Sequence, residues 1–555
     1  MKKTITLVLA VMLLSAVFTM YYSLDANAVK SKGTPSNSFG QKNAKKICGD
    51  QLCSTYPGGY NAFKNMTYSS EKKSIESKSE LMTEIKQSPK TTPNKSPYKF
   101  EGGYPAAGTS KLAYDASDLR RAIETYKFFF PTVSTEALMQ QMPGGEKPNT
   151  VWVKMATAPR HQIPTGNSDT PYAFGPLDLK AEGPMVIELP PGTFIGFVND
   201  HNMRWVLDMG TIGPDKGEGG KHLILPPDYQ GDVPAGYYVG QSKTWKVLFA
   251  IRSLSAEGDS VKALKALDDV KIYPLAKAGE PVTFHFIDVT DKAVPLKLLA
   301  WENNLDYWQQ LNSVIQAETA PEEFRPMLGM LASLGIEMGK PFNPDEHAKQ
   351  ILEEAAHIAL AEMRINSYDN RRPEVVVWQD RNWEWVPMRQ LSNVTKDYGI
   401  PAFLDLEATD HWSFQAYGAS TSMGKREIGS GSIYFAGFRD NTGAHLDGSK
   451  TYNLKVPGPV PGKLFWSATV YDVDTRSEIS TDQERAAVRS LYEKPQPNPD
   501  GSFDIFFGPK APAGKEDQWV KTIPGKGWFI YFRIYGPQAP AFDGTWKLNN
   551  IAEMK

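Results

Sequence analysis

The chain has 555 residues, of which 41% are hydrophobic and 11% aromatic, enough to build sizeable cores and to exclude wholesale disorder. Its 61 basic and 63 acidic residues leave a formal charge of −2, which gives no electrostatic reason to expect nucleic acid or an anionic membrane as partner. Gly (45) and Pro (41) are plentiful, as suits many turns between short strands.

Residues 1–28 have the pattern of a secretory signal. Lys2 and Lys3 precede an apolar run from Ile5 to about Leu24, and Ala26-Asn27-Ala28 places small residues where a signal peptidase reads them. The competing reading is an uncleaved anchor, since the run is long enough to span a bilayer. Cleavage is expected after Ala28, with a periplasmic or secreted product that keeps no membrane span. Residues 29–110 are rich in Ser, Lys, Thr and Pro and read as a polar, flexible arm. Cys48 and Cys53 fall in this arm. Export permits a local disulfide between them, and free thiols are the alternative.

Helical spacing begins at Ala116-Ser117-Asp118, with Ser117 or Asp118 as cap, and runs through Leu119, Ile123, Tyr126 and Phe130 until Pro131 stops it. Short β-type runs follow at Met185–Leu189, Phe194–Val198, Leu223–Leu225, Val247–Ile251 and Val282–Ile287, with one helix from Ser260 to about Leu267. Helical period returns from about Leu298 to Asn366, where Asn343-Pro344-Asp345 is a good helix start. The β-type runs resume at Val375–Trp378, Ile433–Phe438, Leu464–Tyr471, Phe503–Phe507 and Trp528–Tyr535, the last alternating like a half-buried strand. The pattern predicts a mainly β chain with some helix: an N-terminal β domain over 111–296, a helical connector over 297–368 and a C-terminal β domain over 369–555.

Gly213-Pro-Asp-Lys-Gly-Glu-Gly-Gly-Lys221 lacks the P-loop spacing and reads as a connection where backbones come close. Glu354-Ala-Ala-His357 occurs once, whereas a di-iron bundle needs two such pairs. No metal site and no cofactor are expected. Two clusters are denser. One is Asn199-Asp200-His201 with Arg204, Trp205 and Asp208, which offers an acid, an imidazole, a planar cation and an aromatic face for a polar or glycan-like ligand. The turn residues Asn167, Asp169 and Tyr172 are expected beside it. The bland alternative is a turn held by an Arg204–Asp208 ion pair. The other cluster is Glu407, Asp410, His411 and Trp412, next to Tyr417–Met423.

Asn167-Ser-Asp-Thr-Pro-Tyr172, Pro190-Pro-Gly192, Asp208-x-Gly210, Gly213–Lys221, Leu225-Pro-Pro-x-Tyr229 and Pro234-x-Gly-Tyr237 resemble the family called domain of unknown function 1254. Leu446-Asp-Gly448, Phe465-Trp-Ser467, Tyr471-Asp472, Gly508-Pro509, Arg533-Ile-Tyr-Gly-Pro537 and Trp546 resemble its companion, domain of unknown function 1214. The resemblance implies two jelly-roll-like antiparallel β-sandwich domains joined by a helical segment, in a homo-oligomer. It brings no reaction with it. The chain is therefore read as an exported, envelope-associated protein with a binding or structural role. The alternative is a hydrolase acting on a glycan, ester or amide.

Overall fold

The architecture is that of a computed structural model. It describes residues 96–555 apart from 144, 146–147, 256–257, 282–284, 293–298, 387–403, 425–427 and 430, together with the backbone of 47–48 and 51–52. The chain divides into two units, Met1–Lys95 and Ser96–Lys555. In the first, β1 (Ile47–Cys48) pairs antiparallel with β2 (Gln51–Leu52). The side chains of Cys48 and Cys53, residues 1–28 and most of the stretch 29–110 lie outside the described residues.

The second unit opens with a small hairpin of β3 (Phe100–Glu101) and β4 (Tyr104–Pro105). Helix α1 follows over Thr109–Gln141. It starts earlier than its sequence periodicity indicates and runs through Pro131. The proline removes one intrahelical N–H, but the turns beyond it are buried from Phe129 to Met139. Burying that many side chains outweighs a local cost of about 3 kcal/mol.

The N-terminal sandwich comprises β5 (Val151–Met155), β6 (Tyr172–Asp178), β7 (Met185–Leu189), β8 (Phe194–Asp200), β9 (Trp205–Gly210), β10 (Gly220–Leu225), β11 (Tyr237–Gln241), β12 (Lys246–Ser253), β13 (Lys271–Pro274) and β14 (His285–Asp288). A four-stranded sheet, β11-β10-β7-β13, faces a six-stranded sheet, β14-β5-β6-β12-β8-β9. Ile187, Ile224 and Ile272 of the first pack against Leu177, Val198, Phe249 and Ile251 of the second. Most pairings are antiparallel, and parallel ones occur at the edges, β10 with β11 and β5 with β14. Helix α2 (Ser260–Ala266) begins as expected, with the Asp259 carboxylate capping the Lys262 N–H.

Helices α3 (Leu305–Ala317), α4 (Arg325–Ser333) and α5 (Glu346–Tyr368) pack with α1 around Trp301, Tyr307, Trp308 and Leu352. Asp345 caps α5 through the Ala348 N–H. Residues Val375–Trp378, read as a strand, form none. Pro373–Val375 is a 3₁₀ turn, and strand pairing falls instead to β15 (Glu384–Trp385). Val375 and Trp378 are apolar because they are buried, not because they extend a sheet.

Helix α6 (Leu406–Gln415) leads to the C-terminal sandwich. Its strands are β16 (Ser432–Gly437), β17 (Tyr452–Val456), β18 (Trp466–Asp472), β19 (Ala487–Arg489), β20 (Phe503–Gly508), β21 (Trp519–Lys521), β22 (Trp528–Tyr535) and β23 (Ala552–Glu553). The sheet β15-β16-β22-β18-β19 faces β21-β20-β17-β23. Strand β22 is buried along its whole length, not half-buried as its alternation suggests. Trp528, Ile530, Phe532 and Ile534 fill the sandwich. The alternate residues Phe529, Tyr531, Arg533 and Tyr535 lie on the other face, which is covered by the rest of the unit. That second covered face positions the candidate site.

Candidate functional site

A strand has two faces, so the residues of the six-stranded sheet that point away from its own core form a second layer. On β6 these are Tyr172 and Phe174, on β8 Phe197, and on β12 Leu248, Ala250 and Arg252. They meet the outer face of the C-terminal sheet, represented by Tyr434 of β16 and Tyr531 and Arg533 of β22. The space between holds a cavity of about 130 Å³, lined at the sides by the 163–167 segment and by Trp412, Tyr417 and Met423. A cavity of roughly this size accommodates one aromatic ring. The lining is mainly apolar and includes no Ser, Cys, His, Asp or Glu among the described residues.

The polar end is built from two buried arginines. Arg252 is 4% exposed and Arg533 2%. Arg252 donates from Nε to Thr170 Oγ1 (2.9 Å) and from Nη2 to the Tyr535 hydroxyl (3.2 Å). Arg533 donates from Nη1 to Thr469 Oγ1 (3.0 Å) and from Nη2 to the Tyr471 hydroxyl (2.5 Å). Its buried Nε has no hydrogen-bond partner among the described residues. Behind them sits Asp169, fully buried, whose Oδ2 accepts from Ser467 Oγ (2.7 Å) and from the Tyr535 hydroxyl (2.8 Å). Asn167 Nδ2 donates to the same hydroxyl at 2.8 Å.

Tyr434 faces the Arg533 guanidinium and lines the same cavity as Arg252. The Arg533 guanidinium carbon is 5.1 Å from its ring centroid, and Ser432 Oγ donates to its hydroxyl at 3.1 Å. Burial alone would raise the phenol. The positive charges of Arg252 and Arg533 outweigh it and hold Tyr434 below the ordinary phenol value. Tyr172 and Tyr535 go the other way, because burial dominates and raises both.

The seven residues singled out from the sequence separate into two places. Asn167 and Tyr172 line the cavity, and Asp169 supports it through Tyr535. Asp200, His201, Arg204 and Trp205 do not share it. Asp200 Oδ1 accepts from the backbone N–H groups of Asn202 and Arg204, both at 2.9 Å, as a turn former does. Burial raises its carboxyl to about 6. Both ring nitrogens of His201 lie 2.9 Å from carboxylates, Nε2 from Glu136 and Nδ1 from Glu318. Arg204 pairs with Glu323, not with Asp208. Asp208 accepts hydrogen bonds from Ser420 and Thr421 instead. Trp205 is 37% exposed. The polar density of this cluster reflects a turn locked onto α1 and the end of α3. The second cluster divides too. His411 is buried against Asn370 and burial lowers it to about 3, whereas Trp412 faces the cavity.

Arg252, Tyr434 and Arg533 were missed. Their signal was an arginine inside an otherwise apolar strand run, at Val247–Arg252 and Phe529–Ile534, where a charge is rarely buried without a specific reason. The Gly213–Lys221 segment is structural. Gly219 has φ +78°, and a Cβ there would meet Pro191 N at 2.7 Å and Leu189 O at 2.8 Å.

Fold and cavity together define a two-sandwich protein with an apolar, arginine-ended chamber between its sheets. Residues 148–274 match the family model described as Protein of unknown function (DUF1254), and residues 431–539 match Protein of unknown function (DUF1214). The two matches fall in the order that the motifs imply. The VPA0106 protein of Vibrio parahaemolyticus is similar in structure, at 18% identity and a TM-score of 0.49, covering 79% of this chain and 100% of its own. An uncharacterized protein of Burkholderia cenocepacia is similar at 13% identity and a TM-score of 0.35, covering 81% and 96%. No curated protein matches the chain.

Proposed function

We propose that this chain is an exported binding protein whose ligand is a small, mainly apolar organic anion, held in the chamber with its oxyanion toward Arg252 and Arg533. The observation that carries this reading is the pair of buried guanidinium groups on an apolar cavity, one with an unpartnered N–H. Two positive charges face one buried carboxylate, Asp169, and an unbalanced buried charge is costly unless a further anion compensates it. The apolar walls favour a ring or short hydrocarbon over a glycan, whose hydroxyls would find few partners there. A hydrolase has less support, because the described lining supplies no Ser, Cys or His and no carboxylate pair. Export rests on the leader-like residues 1–28, and homo-oligomerisation on the family resemblance.

Calorimetric titration of the full chain with benzoate, and with maltose as a glycan probe, tests the reading. On this reading benzoate should bind and maltose should not. Losing a charge-assisted hydrogen bond costs about 1.5–3 kcal/mol, so Arg533→Gln weakens benzoate binding roughly ten- to hundredfold with the circular dichroism unchanged. Equal affinity in wild type, Arg533→Gln and Arg252→Gln would rule the chamber out as the site.

A further inference from the structure

The charges around Tyr434 have a consequence for how such a ligand enters. Tyr434 shares its strand with Ser432, whose hydroxyl donates to it. From β22 it faces the Arg533 guanidinium and, in a stacked arrangement 6.3 Å between centroids, the Tyr531 ring. Across the chamber, Arg252 of β12 and Tyr172 of β6 line the same cavity, and the Arg252 charge lowers the Tyr434 phenol. Tyr535 and Asp169 lie behind Arg252. Glu478 lies beyond Asp169, with Oε1 accepting from the Ser168 N–H at 2.7 Å. Arg489, a half-buried cation nearby, is already paired with Glu493 at 2.6 Å, and the buried Arg476 with Glu302 at 2.6 Å.

The immediate surroundings therefore hold two fixed positive charges and one fixed negative charge. Tyr535 uses its proton to donate to Asp169, and burial raises Tyr172 and Tyr531, so these phenols are poorer candidates for the missing anion. Tyr434 is the cavity-lining phenol that the two arginines push toward ionisation. We propose that the Tyr434 phenolate is the chamber's internal counter-ion, and that an entering organic anion replaces it, with one proton taken up on the Tyr434 oxygen. The exchange balances. The ligand arrives with one negative charge, the new O–H bond on Tyr434 removes one, and the proton comes from solvent or from the ligand's own acid. Loading is then favoured in acid and release in alkali, as befits a carrier of a weak organic acid. This rests on the chamber being the ligand site.

The experiment is benzoate affinity of the full chain from pH 6 to pH 10, where benzoate itself stays ionised. Wild type should lose about tenfold in affinity per pH unit over the window in which the empty chamber holds the phenolate, by proton linkage. Tyr434→Phe should give a flat profile over that window and bind at least tenfold tighter than wild type at its alkaline end. Glu478, raised to about 7 by burial, is the competing titration, so Glu478→Gln must keep the alkaline slope. A second measurement needs no variant: wild-type calorimetry in two buffers of different ionisation enthalpy should report about one proton taken up per benzoate. Binding with a flat wild-type profile and no proton uptake overturns the exchange and leaves the binding site standing. A slope abolished by Glu478→Gln and retained in Tyr434→Phe also overturns it. No benzoate binding at any pH overturns the chamber reading and the exchange with it.

Discussion

The Tyr535 hydroxyl donates a 2.8 Å hydrogen bond to the Asp169 carboxylate, 366 residues away in sequence, and so ties the last long strand of one sandwich to a loop of the other. The same hydroxyl accepts from Asn167 and Arg252. One phenol thereby orders both the wall and the charged end of the chamber.

Removing the carboxylate should be more damaging than removing the phenol. Asp169→Asn leaves Arg252 and Arg533 without their fixed counter-charge, and breaking a buried pair typically costs about 3–5 kcal/mol. Tyr535→Phe loses charge-assisted hydrogen bonds but keeps the packing of its ring on Phe465, 4.0 Å between centroids, at about 1.5–3 kcal/mol. Urea unfolding of both variants checks the order, and a smaller loss for Asp169→Asn would contradict it.

His201 predicts a pH-dependent stability with opposite edges. Burial alone would lower the imidazole, but its hydrogen bonds to Glu136 and Glu318 outweigh it and raise its value. Its contribution is complete below the usual imidazole value of about 6.5 and is lost as pH rises through the raised one. Glu136 is the mirror case. Burial would raise it, His201 and Lys246 overcome this, and it lies at about 2. Its contribution is present above the ordinary carboxyl range and is lost as pH falls toward that value. Unfolding midpoints should therefore decline at both ends. His201→Gln should remove the alkaline decline and cost about 3–5 kcal/mol at neutral pH, since it leaves two buried carboxylates uncompensated.

Glu478 should behave as a buried acid held protonated. Burial raises its carboxyl to about 7 from an ordinary value near 4.5. The folded state is then most favoured while the group keeps its proton, and stability falls as pH rises through about 7. Glu478→Gln keeps the acceptor for the Ser168 N–H. It should flatten that fall by about 3 kcal/mol between pH 4 and pH 9, as measured by urea midpoints. A variant with the wild-type slope would assign the proton elsewhere.

Trp466 is a packing residue of the C-terminal sandwich, 5% exposed and stacked on Phe532 at 5.5 Å. Trp466→Ala should cost about 3–5 kcal/mol, read as a drop in thermal midpoint, with benzoate binding by the folded fraction unaltered.

Export makes a separate prediction. Mass spectrometry of the chain recovered from a secreting host should find Val29 as its first residue. An intact N-terminus in the membrane fraction would count against cleavage.

Local pattern carried a good part of the fold. Met185–Leu189 and Ser260–Ala266 lie where a short β-type run and a helix are read from the sequence, and the motifs order the two families as found. These are properties of neighbouring residues, and periodicity reports them directly. It could not say what covers a strand's second face. Strand β22 reads as half-buried, and the outer sheet of the other sandwich makes it wholly buried. Pro131 reads as a stop, and the tertiary burial of the turns beyond it makes it helix. His201 and Arg204 read as a site because they are adjacent, yet their partners Glu136, Glu318 and Glu323 come from distant helical segments and neutralise them. Arg252, Tyr434 and Arg533 are far apart in the chain, and only the meeting of two outer sheet faces puts their charges around one cavity.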